Sequence, residues 1–261
     1  MLVDSHCHLE FPDFAADQDG VIGRARAAGI GHFLTICTRV RRFDEILRVA
    51  EANDDVSCSL GTHPHSAEEE TDVTAAELIK LAQHPKVVAI GETGLDYYYD
   101  NSPRDLQQEA FRRHLRAAIA LDLPVIVHTR DADEDTARIL REEGQGTGLK
   151  GVIHCFSSSP QLAADALDLG FYISFSGILT FKKAEELRET ARNVPVDKML
   201  VETDAPFLAP IPMRGKRNEP AFVVHTAKVL GEIHGLDAEA LAERTTKNFF
   251  TLFSKAAPAQ Q

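Results

Sequence analysis

Short apolar runs rich in Val and Ile alternate along the chain with longer segments of helical period. This pattern is expected when parallel strands are joined by crossover helices. Eight apolar runs begin near Leu2, His32, Val56, Val87, Pro124, Gly151, Phe171 and Lys198. Because a helix-forming segment follows each run and no Gly-rich dinucleotide-binding turn is present, the pattern predicts a (β/α)8 TIM barrel, an α/β fold, rather than an open doubly wound sheet.

Two segments refine this prediction. Between the fourth and fifth runs, apolar residues recur at the spacing of an amphipathic helix, at Leu106, Ala110, Phe111, Leu115, Ala118 and Ile119. The segment 205–222 contains four prolines, so it cannot form a continuous helix. We therefore predict a helix in the first segment and a long functional loop in the second.

The composition fits one globular domain. The chain has 261 residues, of which 44% are hydrophobic, close to the roughly 250 residues of a (β/α)8 barrel. We predict a single barrel domain over residues 1–255 and a disordered tail over residues 256–261. Four widely spaced cysteines indicate reduced thiols, and neither a secretory signal nor an apolar run of about 18 residues is present. The expectation is a cytoplasmic protein that needs no membrane and no obligate protein partner.

Polar residues follow five of the predicted strands, where the reactive groups of a parallel barrel lie. Side chains alternate along a strand, so the first two histidines project to the same side. A carboxylate directly after the fourth apolar run would be costly to bury without a cation or a donor. Each residue alone is more often a helix cap or a backbone partner, but five strand ends together indicate metal ligands. The candidates are His6, His8, Glu92, His128, His154 and Asp204.

Imidazole and carboxylate ligands suit zinc, manganese and related divalent ions, and the chain lacks the paired cysteines of a structural zinc site. Six ligands exceed what one tetrahedral ion needs, so we expect two ions bridged by Glu92. His6 and His8 would serve one ion with Asp204, and the two later histidines would serve the other. Glu202 is either a carboxylate that orients a ligand or a buried, paired charge.

The formal net charge of -12 argues against a broad basic surface for nucleic acid, so any phosphate must be bound locally. The candidates are two histidines after the third run and basic residues in the loops, which we list as His63, His65, Arg130, Arg214 and Arg217. Alternatives stay open: the histidines could bond backbone carbonyls, Arg130 could pair with a neighbouring carboxylate, and the basic loop could simply be solvated. The tyrosines at 97–99 could stack on a base or pack against the rim.

Several motifs carry a resemblance that covers nearly the whole chain. They are Val3-Asp4-Ser5-His6-Cys7-His8-Leu9, Gly61-Thr62-His63-Pro64-His65, Gly91-Glu92-Thr93-Gly94-Leu95-Asp96-Tyr97, His128-Thr129-Arg130, His154-Cys155-Phe156-Ser157, Glu202-Thr203-Asp204-Ala205-Pro206 and Arg217-Asn218-Glu219-Pro220. The chain resembles the TatD family of metal-dependent deoxyribonucleases. The resemblance implies a metallo-dependent hydrolase barrel of the amidohydrolase superfamily that degrades DNA, often from the 3′ end, with magnesium, manganese or zinc. The six ligands fall on the family's metal positions. Ser158 stands where the family often has Gly.

The leading hypothesis is hydrolysis of DNA phosphodiesters at single-stranded or frayed ends by metal-activated water, with Asp204 and Glu92 as catalytic residues. One rival uses the same centre on a carbonyl substrate, as an amidase, a lactonase or an aminoacyl-tRNA deacylase, because one fold supports several hydrolyses. A second rival is a metal-binding protein without catalysis. The sequence leaves open the metal, the polarity of cleavage and the oligomeric state.

Overall fold

The barrel is formed by parallel strands arranged in chain order. The computed structural model describes residues 1–256, in which eight strands form one sheet in the order β1 to β8. They are β1 (Leu2–Cys7), β2 (Ile30–Thr35), β3 (Val56–Leu60), β4 (Val87–Asp96), β5 (Val125–Arg130), β6 (Gly151–Ile153), β7 (Tyr172–Phe175) and β8 (Met199–Val201). The two ends of the sheet meet where the Asp204 N–H donates to the His6 carbonyl and the His8 N–H donates to the Ala205 carbonyl, both at 2.9 Å. The predicted (β/α)8 barrel is confirmed.

Helices connect the strands and cover the outside of the sheet. Within residues 1–256 they are α1 (Gln18–Ala27), α2 (Phe43–Ala52), α3 (Ala75–Leu81), α4 (Arg104–Leu121), α5 (Asp133–Gly144), α6 (Pro160–Asp168), α7 (Glu185–Asn193), α8 (Val223–His234) and α9 (Ala238–Leu252). Short 3-10 helices occupy Pro12–Phe14, Val40–Arg42, Pro64–Ser66, Gly177–Thr180, Pro220–Phe222 and Ser254–Ala256. None of the helices in this part of the chain has the length and hydrophobicity needed to cross a membrane. Of the predicted disordered tail, Ala256 closes a 3-10 helix and residues 257–261 lie outside the described residues.

The helix predicted over 106–119 is confirmed as α4. Ala110, Phe111, Leu115 and Ala118 of its periodic apolar residues are buried, and Leu106 and Ile119 are partly buried. The helix ends where Asp122 adopts a left-handed conformation with φ of 52°, and the Asp122 N–H returns to the Ile119 carbonyl. The apolar period therefore placed both the helix and its buried face correctly.

The inside of the barrel is apolar at the end where the strands begin. One buried cluster combines strand residues with one phenylalanine of α9 and the phenylalanine that directly follows this helix, as follows: Val3, Leu34, Val88, Ile126, Val152, Leu200, Phe249 and Phe253. Since these side chains close that end, the polar residues at the carboxyl ends of the strands face the opposite mouth. The fold thus separates a packed end from a polar end.

The proline-rich segment after β8 is irregular through Glu219, as predicted, and one buried side chain fixes it. The amide of Asn218 donates to the carbonyls of Thr203 at 2.9 Å and Phe207 at 2.5 Å. The carboxylate of Glu219 accepts from Arg24 of α1, with a shortest distance of 2.8 Å. The loop is therefore held in a defined position over the polar mouth.

Candidate metal centre

Glu92 lies at the centre of the polar mouth. Its Oε1 is 2.7 Å from His154 Nε2 and 3.0 Å from His128 Nδ1, and its Oε2 is 3.5 Å from His6 Nε2. The two carboxylate oxygens therefore face different histidines. This is the arrangement that a carboxylate bridging two ions requires.

Asp204 lies on the β1 side of the same cluster. Its Oδ1 is 3.3 Å from His8 Nε2 and 3.6 Å from His6 Nε2. The His6 ring also stacks on the His154 ring, with centroids 3.9 Å apart. All six predicted ligands thus meet at one site.

Two glycines of β4 allow Glu92 to approach β5. Gly91 and Gly94 have φ of 128° and 141°, values that L side chains rarely adopt. A Cβ on Gly91 would lie 2.5 Å from the Ile126 carbonyl oxygen, and a Cβ on Gly94 would overlap the His128 carbonyl oxygen. Larger residues at these positions would push the two strands apart and separate Glu92 from His128.

The cluster is buried and strongly polarised. Burial opposes ionisation of Glu92, which is 2% exposed, but His154 and His63 outweigh it and hold its pKa well below the ordinary value. Burial likewise opposes protonation of His8, but Asp204 outweighs it and raises the pKa of His8 to about 9. Glu92 and Glu202 raise the pKa of His154 well above its ordinary value despite burial. The carboxylates of this site are therefore ionised and favour a positive charge among them, either on the histidines or on a bound cation.

The donor set fits a divalent ion. Within residues 1–256, both ring nitrogens of His6 and Oε2 of Glu202 are buried without a hydrogen-bond partner, which is costly unless another group satisfies them. Ligand bonds of roughly 2.0–2.2 Å place donor atoms about 3 Å apart, the spacing seen around Glu92. Among residues 1–256, three groups bring one ligand atom from each residue within 4.8 Å of the others, namely His6 with His8 and Glu92, His6 with His154 and Glu202, and His63 with Glu92 and His128.

Two further carboxylates hold the histidines that face Glu92. Oε1 of Glu202 is 3.3 Å from His154 Nδ1, and Oδ2 of Asp96 is 3.2 Å from His128 Nε2. A carboxylate on the far nitrogen fixes the orientation and tautomer of a metal-ligating imidazole. Sequence reasoning assigned this role to Glu202 but missed Asp96. A signal was present, because Asp96 lies four residues after Glu92 on a strand and so shares its face.

The histidines after β3 differ from their prediction as a strand pair. β3 ends at Leu60, and His63 caps the 3-10 helix Pro64–Ser66 by accepting the His65 N–H at 3.1 Å. His63 directs Nε2 to Oε1 of Glu92 at 3.5 Å, while His65 Nε2 bonds Asp96 at 2.9 Å. Burial lowers the pKa of His63 well below its ordinary value. His63, rather than His65, therefore faces Glu92, and its neutral imidazole can donate a hydrogen bond beside the cluster.

The predicted basic contacts lie around the rim. The guanidinium of Arg130 lies 3.9 Å above the Tyr98 ring, and that of Arg214 lies 4.1 Å from the Phe181 ring. Arg217 donates to the Asp13 carbonyl at 2.5 Å, so part of its guanidinium fastens the loop to the chain after β1. Arg130, Arg214 and Arg217 are all exposed, and their phosphate contacts stay predictions.

A buried network that sequence reasoning missed positions Asp204. Asp4 accepts from the Thr203 N–H at 2.9 Å and from the Thr203 hydroxyl at 2.5 Å. Burial raises the pKa of Asp4 to about 8. Asp204, the residue after Thr203, adopts a left-handed backbone with φ of 56°. Simple strand alternation does not continue past β8, so these contacts direct the Asp204 carboxylate to the site.

A (β/α)8 barrel whose strand ends gather buried imidazoles and carboxylates has the architecture of a metal-dependent hydrolase. The family model described as TatD related DNase matches residues 3–254. The chain therefore belongs to the TatD family of metal-dependent hydrolases, and the resemblance stated above is confirmed.

Relatives support the same assignment. The chain is 47% identical to the uncharacterized metal-dependent hydrolase YcfH of Escherichia coli strain K12, over 97% of this chain and 95% of YcfH. It is 40% identical to the uncharacterized metal-dependent hydrolase YabD of Bacillus subtilis strain 168, over 97% and 99% of the two chains. The crystal structure of YjjV, a TatD homolog from Escherichia coli K12, superposes with a TM-score of 0.91 at 33% identity, covering 98% of each chain.

Proposed function

We propose that the chain is a deoxyribonuclease that hydrolyses phosphodiester bonds of DNA from the 3′ end of single-stranded or frayed substrates. The observation that carries the proposal is the buried cluster around Glu92, open to a rim with exposed arginines and aromatic rings. A phosphodiester presents a negative charge to such a centre, and the rim arginines suit its flanking phosphates. The description of the family as TatD related DNases supports the same substrate.

The residues divide the chemistry among them. Two divalent ions, drawn from magnesium, manganese or zinc, would be held by the six ligands with Glu92 between them, and would supply Lewis-acid chemistry on water and phosphate. Asp204 is the proton acceptor for the attacking water, because neighbouring histidines keep its pKa below the ordinary value despite burial and so keep it ionised at neutral pH. The His63 Nε2–H points into the cluster and donates to a phosphoryl oxygen.

The outer residues bind the substrate. Arg130, Arg214 and Arg217 contact the flanking phosphates, and His65 supports the site through Asp96. Phosphate contacts of this kind fix position and carry no information about base sequence. We place the activity in the cytosol, since the described cysteines are all free thiols.

The test is cleavage of a 5′-labelled single-stranded oligonucleotide with added magnesium or manganese. We expect stepwise shortening, full inhibition by a chelator, and loss of activity in Asp204→Asn. Glu232→Gln is a matched control, because this carboxylate is exposed on α8 and its side chain is 64% accessible. Undiminished cleavage by Asp204→Asn would contradict the assignment of the proton acceptor.

A carbonyl substrate is the second candidate, because the same cluster can activate water for an amide, a lactone or an aminoacyl ester. Parallel assays with ester, amide and phosphodiester substrates separate the two. Arg214→Ala and Arg217→Ala should weaken cleavage of the polyanionic strand and leave a neutral amide unaffected. Turnover of only the carbonyl substrates would reject the nuclease proposal. Membership in a hydrolase family favours turnover over a metal-binding protein without catalysis.

A further inference from the structure

Exposed aromatic rings lie on opposite sides of the mouth. Among residues 1–256, the large hydrophobic side chains that remain exposed are Met1, Tyr98, Tyr99, Phe207 and Ile211. The three aromatic ones follow β4 and β8, which are four strands apart in either direction around the ring. Exposed apolar surface concentrated around a functional site indicates a ligand with apolar faces.

These rings continue the row of histidines that crosses the mouth. Each ring is near the next, with centroid separations between 3.9 and 6.4 Å. The row is Tyr99, His65, His128, His154, His6, His8 and Phe207. A ligand bound over the metal ligands therefore extends onto an aromatic ring at either end.

The first end, which we call the tyrosine platform, consists of Tyr98, Tyr99 and Arg130, and its two tyrosine rings are perpendicular with centroids 4.9 Å apart. The Arg130 guanidinium lies 3.9 Å from the Tyr98 centroid and 4.7 Å from the Tyr99 centroid. Asp96 Oδ1 accepts the backbone N–H groups of Tyr98 and Tyr99 at 3.1 and 2.9 Å, and its Oδ2 contacts His128. The carboxylate that orients a candidate metal ligand thus also fixes this platform.

The second end is the phenylalanine platform, Phe11 and Phe207. Their ring centroids are 6.0 Å apart, and the Phe11 ring stacks on His8 at 4.5 Å. The Phe207 carbonyl accepts from the buried Asn218 amide, so the backbone of this exposed residue is held in place. Both platforms are therefore built on fixed backbone beside the metal ligands.

The charges beyond the two platforms differ. Past Arg130 lies a groove of about 720 Å³, and its lining includes the carboxylates Asp131, Asp133 and Glu134. The loop that carries Phe207 also carries Arg214, Lys216 and Arg217. A polyanionic strand is repelled by the first surface and attracted by the second. The continuing strand therefore fits only on the phenylalanine side.

We propose that the two platforms stack the unpaired bases on either side of the scissile phosphate, with the terminal base on the tyrosine platform and the continuing strand over the phenylalanine platform. This rests on the proposed nuclease function, and it names the residues that select an unpaired end. Aromatic faces accept any base, so the platforms confer a requirement for single strands without a preference for sequence. A duplex cannot reach both platforms without separating its terminal bases.

The first experiment measures binding without cleavage. An oligonucleotide that carries 2-aminopurine at its 3′-terminal nucleotide, or at the next one, is titrated with protein in the presence of a chelator. Stacking on an aromatic ring quenches the fluorescence of this base. We therefore expect quenching of the terminal probe to depend on Tyr98 and Tyr99, and quenching of the second probe to depend on Phe207. The double variant Tyr98→Ala/Tyr99→Ala, and separately Phe207→Ala, should each weaken binding about 10- to 100-fold.

Conservative variants separate stacking from folding. Tyr98→Phe, Tyr99→Phe and Phe207→Tyr keep a ring and should restore binding, and in the cleavage assay the alanine variants should raise KM far more than they lower kcat. Binding within twofold of the wild type in both alanine variants, or equally tight binding of a blunt duplex, would overturn the proposal. If quenching of the terminal probe depended on Phe207 and quenching of the second probe depended on Tyr98 and Tyr99, the assigned direction of the strand would be rejected.

Failure of the underlying function gives a different result. Base-dependent quenching without metal-dependent cleavage would support the platforms and reject the nuclease proposal. A response from a 5′-terminal probe in place of the 3′ probe would support the platforms and reject only the 3′ polarity.

Discussion

The two ends of the barrel treat buried histidines in opposite ways. Near the start of β2, His32 bonds the Ser57 hydroxyl at 3.0 Å and packs against Phe249, and burial lowers its pKa to about 4. At the other end, both nitrogens of His6 lack a partner among the described residues, and Glu92 faces four imidazoles. The protein satisfies its polar groups at the packed end and leaves bonding capacity for a cation at the mouth. Unmet bonding capacity, rather than the presence of histidine, marks the functional end.

The largest effect should follow from removing the charge at the centre of the mouth. Glu92→Gln keeps the shape of the side chain but leaves the surrounding imidazoles without their shared carboxylate. We expect loss of bound divalent metal, measured by mass spectrometry of the dialysed protein, and a fall in activity of at least about 10³-fold. Circular dichroism should show the barrel intact.

The packed end provides the matching control for this comparison. His32→Gln changes a buried polar residue of similar size that lies away from the mouth, so metal content and activity should stay close to those of the wild type. Equal loss of metal in Glu92→Gln and His32→Gln would show that the mouth is sensitive to any buried substitution, and the contrast between the ends would not hold.

A smaller effect should come from the carboxylates behind the metal ligands. Asp96→Asn and Glu202→Gln remove the charge that holds His128 and His154, without removing a ring. Partners of this kind typically contribute about 10- to 100-fold in metal affinity. Competition with a chromogenic chelator measures the change. Asp135→Asn is the control, because this carboxylate bonds the Tyr97 hydroxyl outside the cluster; unchanged affinity in both test variants would deny them this role.

The parts of this site that could be predicted from sequence follow the apolar runs of the strands. Strand alternation placed His6 and His8 together, and the apolar runs placed Glu92, His128 and His154 on β4, on β5 and directly after β6. Because β4 continues to Asp96 and β5 to Arg130, Glu92 and His128 lie within their strands and not at the strand ends that the sequence predicted. The rest depends on irregular backbone. His63 reaches Glu92 from a 3-10 helix, and Asp204 is directed by a left-handed residue conformation, so no periodic pattern describes either position.

The platforms could be predicted only in part, for the same reason. Tyr98 and Tyr99 stand out in the sequence as a run of aromatic residues, but their exposure depends on the turn that Asp96 fixes. Phe207 is a single aromatic residue in a proline-rich loop, and the Asn218 contacts that fix its backbone beside His8 join residues 15 and 11 positions apart. Side-chain contacts within an irregular loop therefore carry information that a periodic pattern lacks.

The smallest predicted effect concerns the pH dependence of stability at the packed end. The folded pKa of His32 is about 4, below the ordinary value of 6.5, so as the pH falls below 6.5 the unfolded chain binds a proton that the folded chain does not. Stability is therefore lost as the pH falls from 6.5 toward 4. Between pH 7 and pH 5.5 the contribution of His32 should be about 1 kcal/mol. Urea unfolding of the wild type and of His32→Gln, both in a chelator, measures this contribution. If the free energy of unfolding changed with pH in the same way in both proteins, His32 would not contribute to the pH dependence of stability.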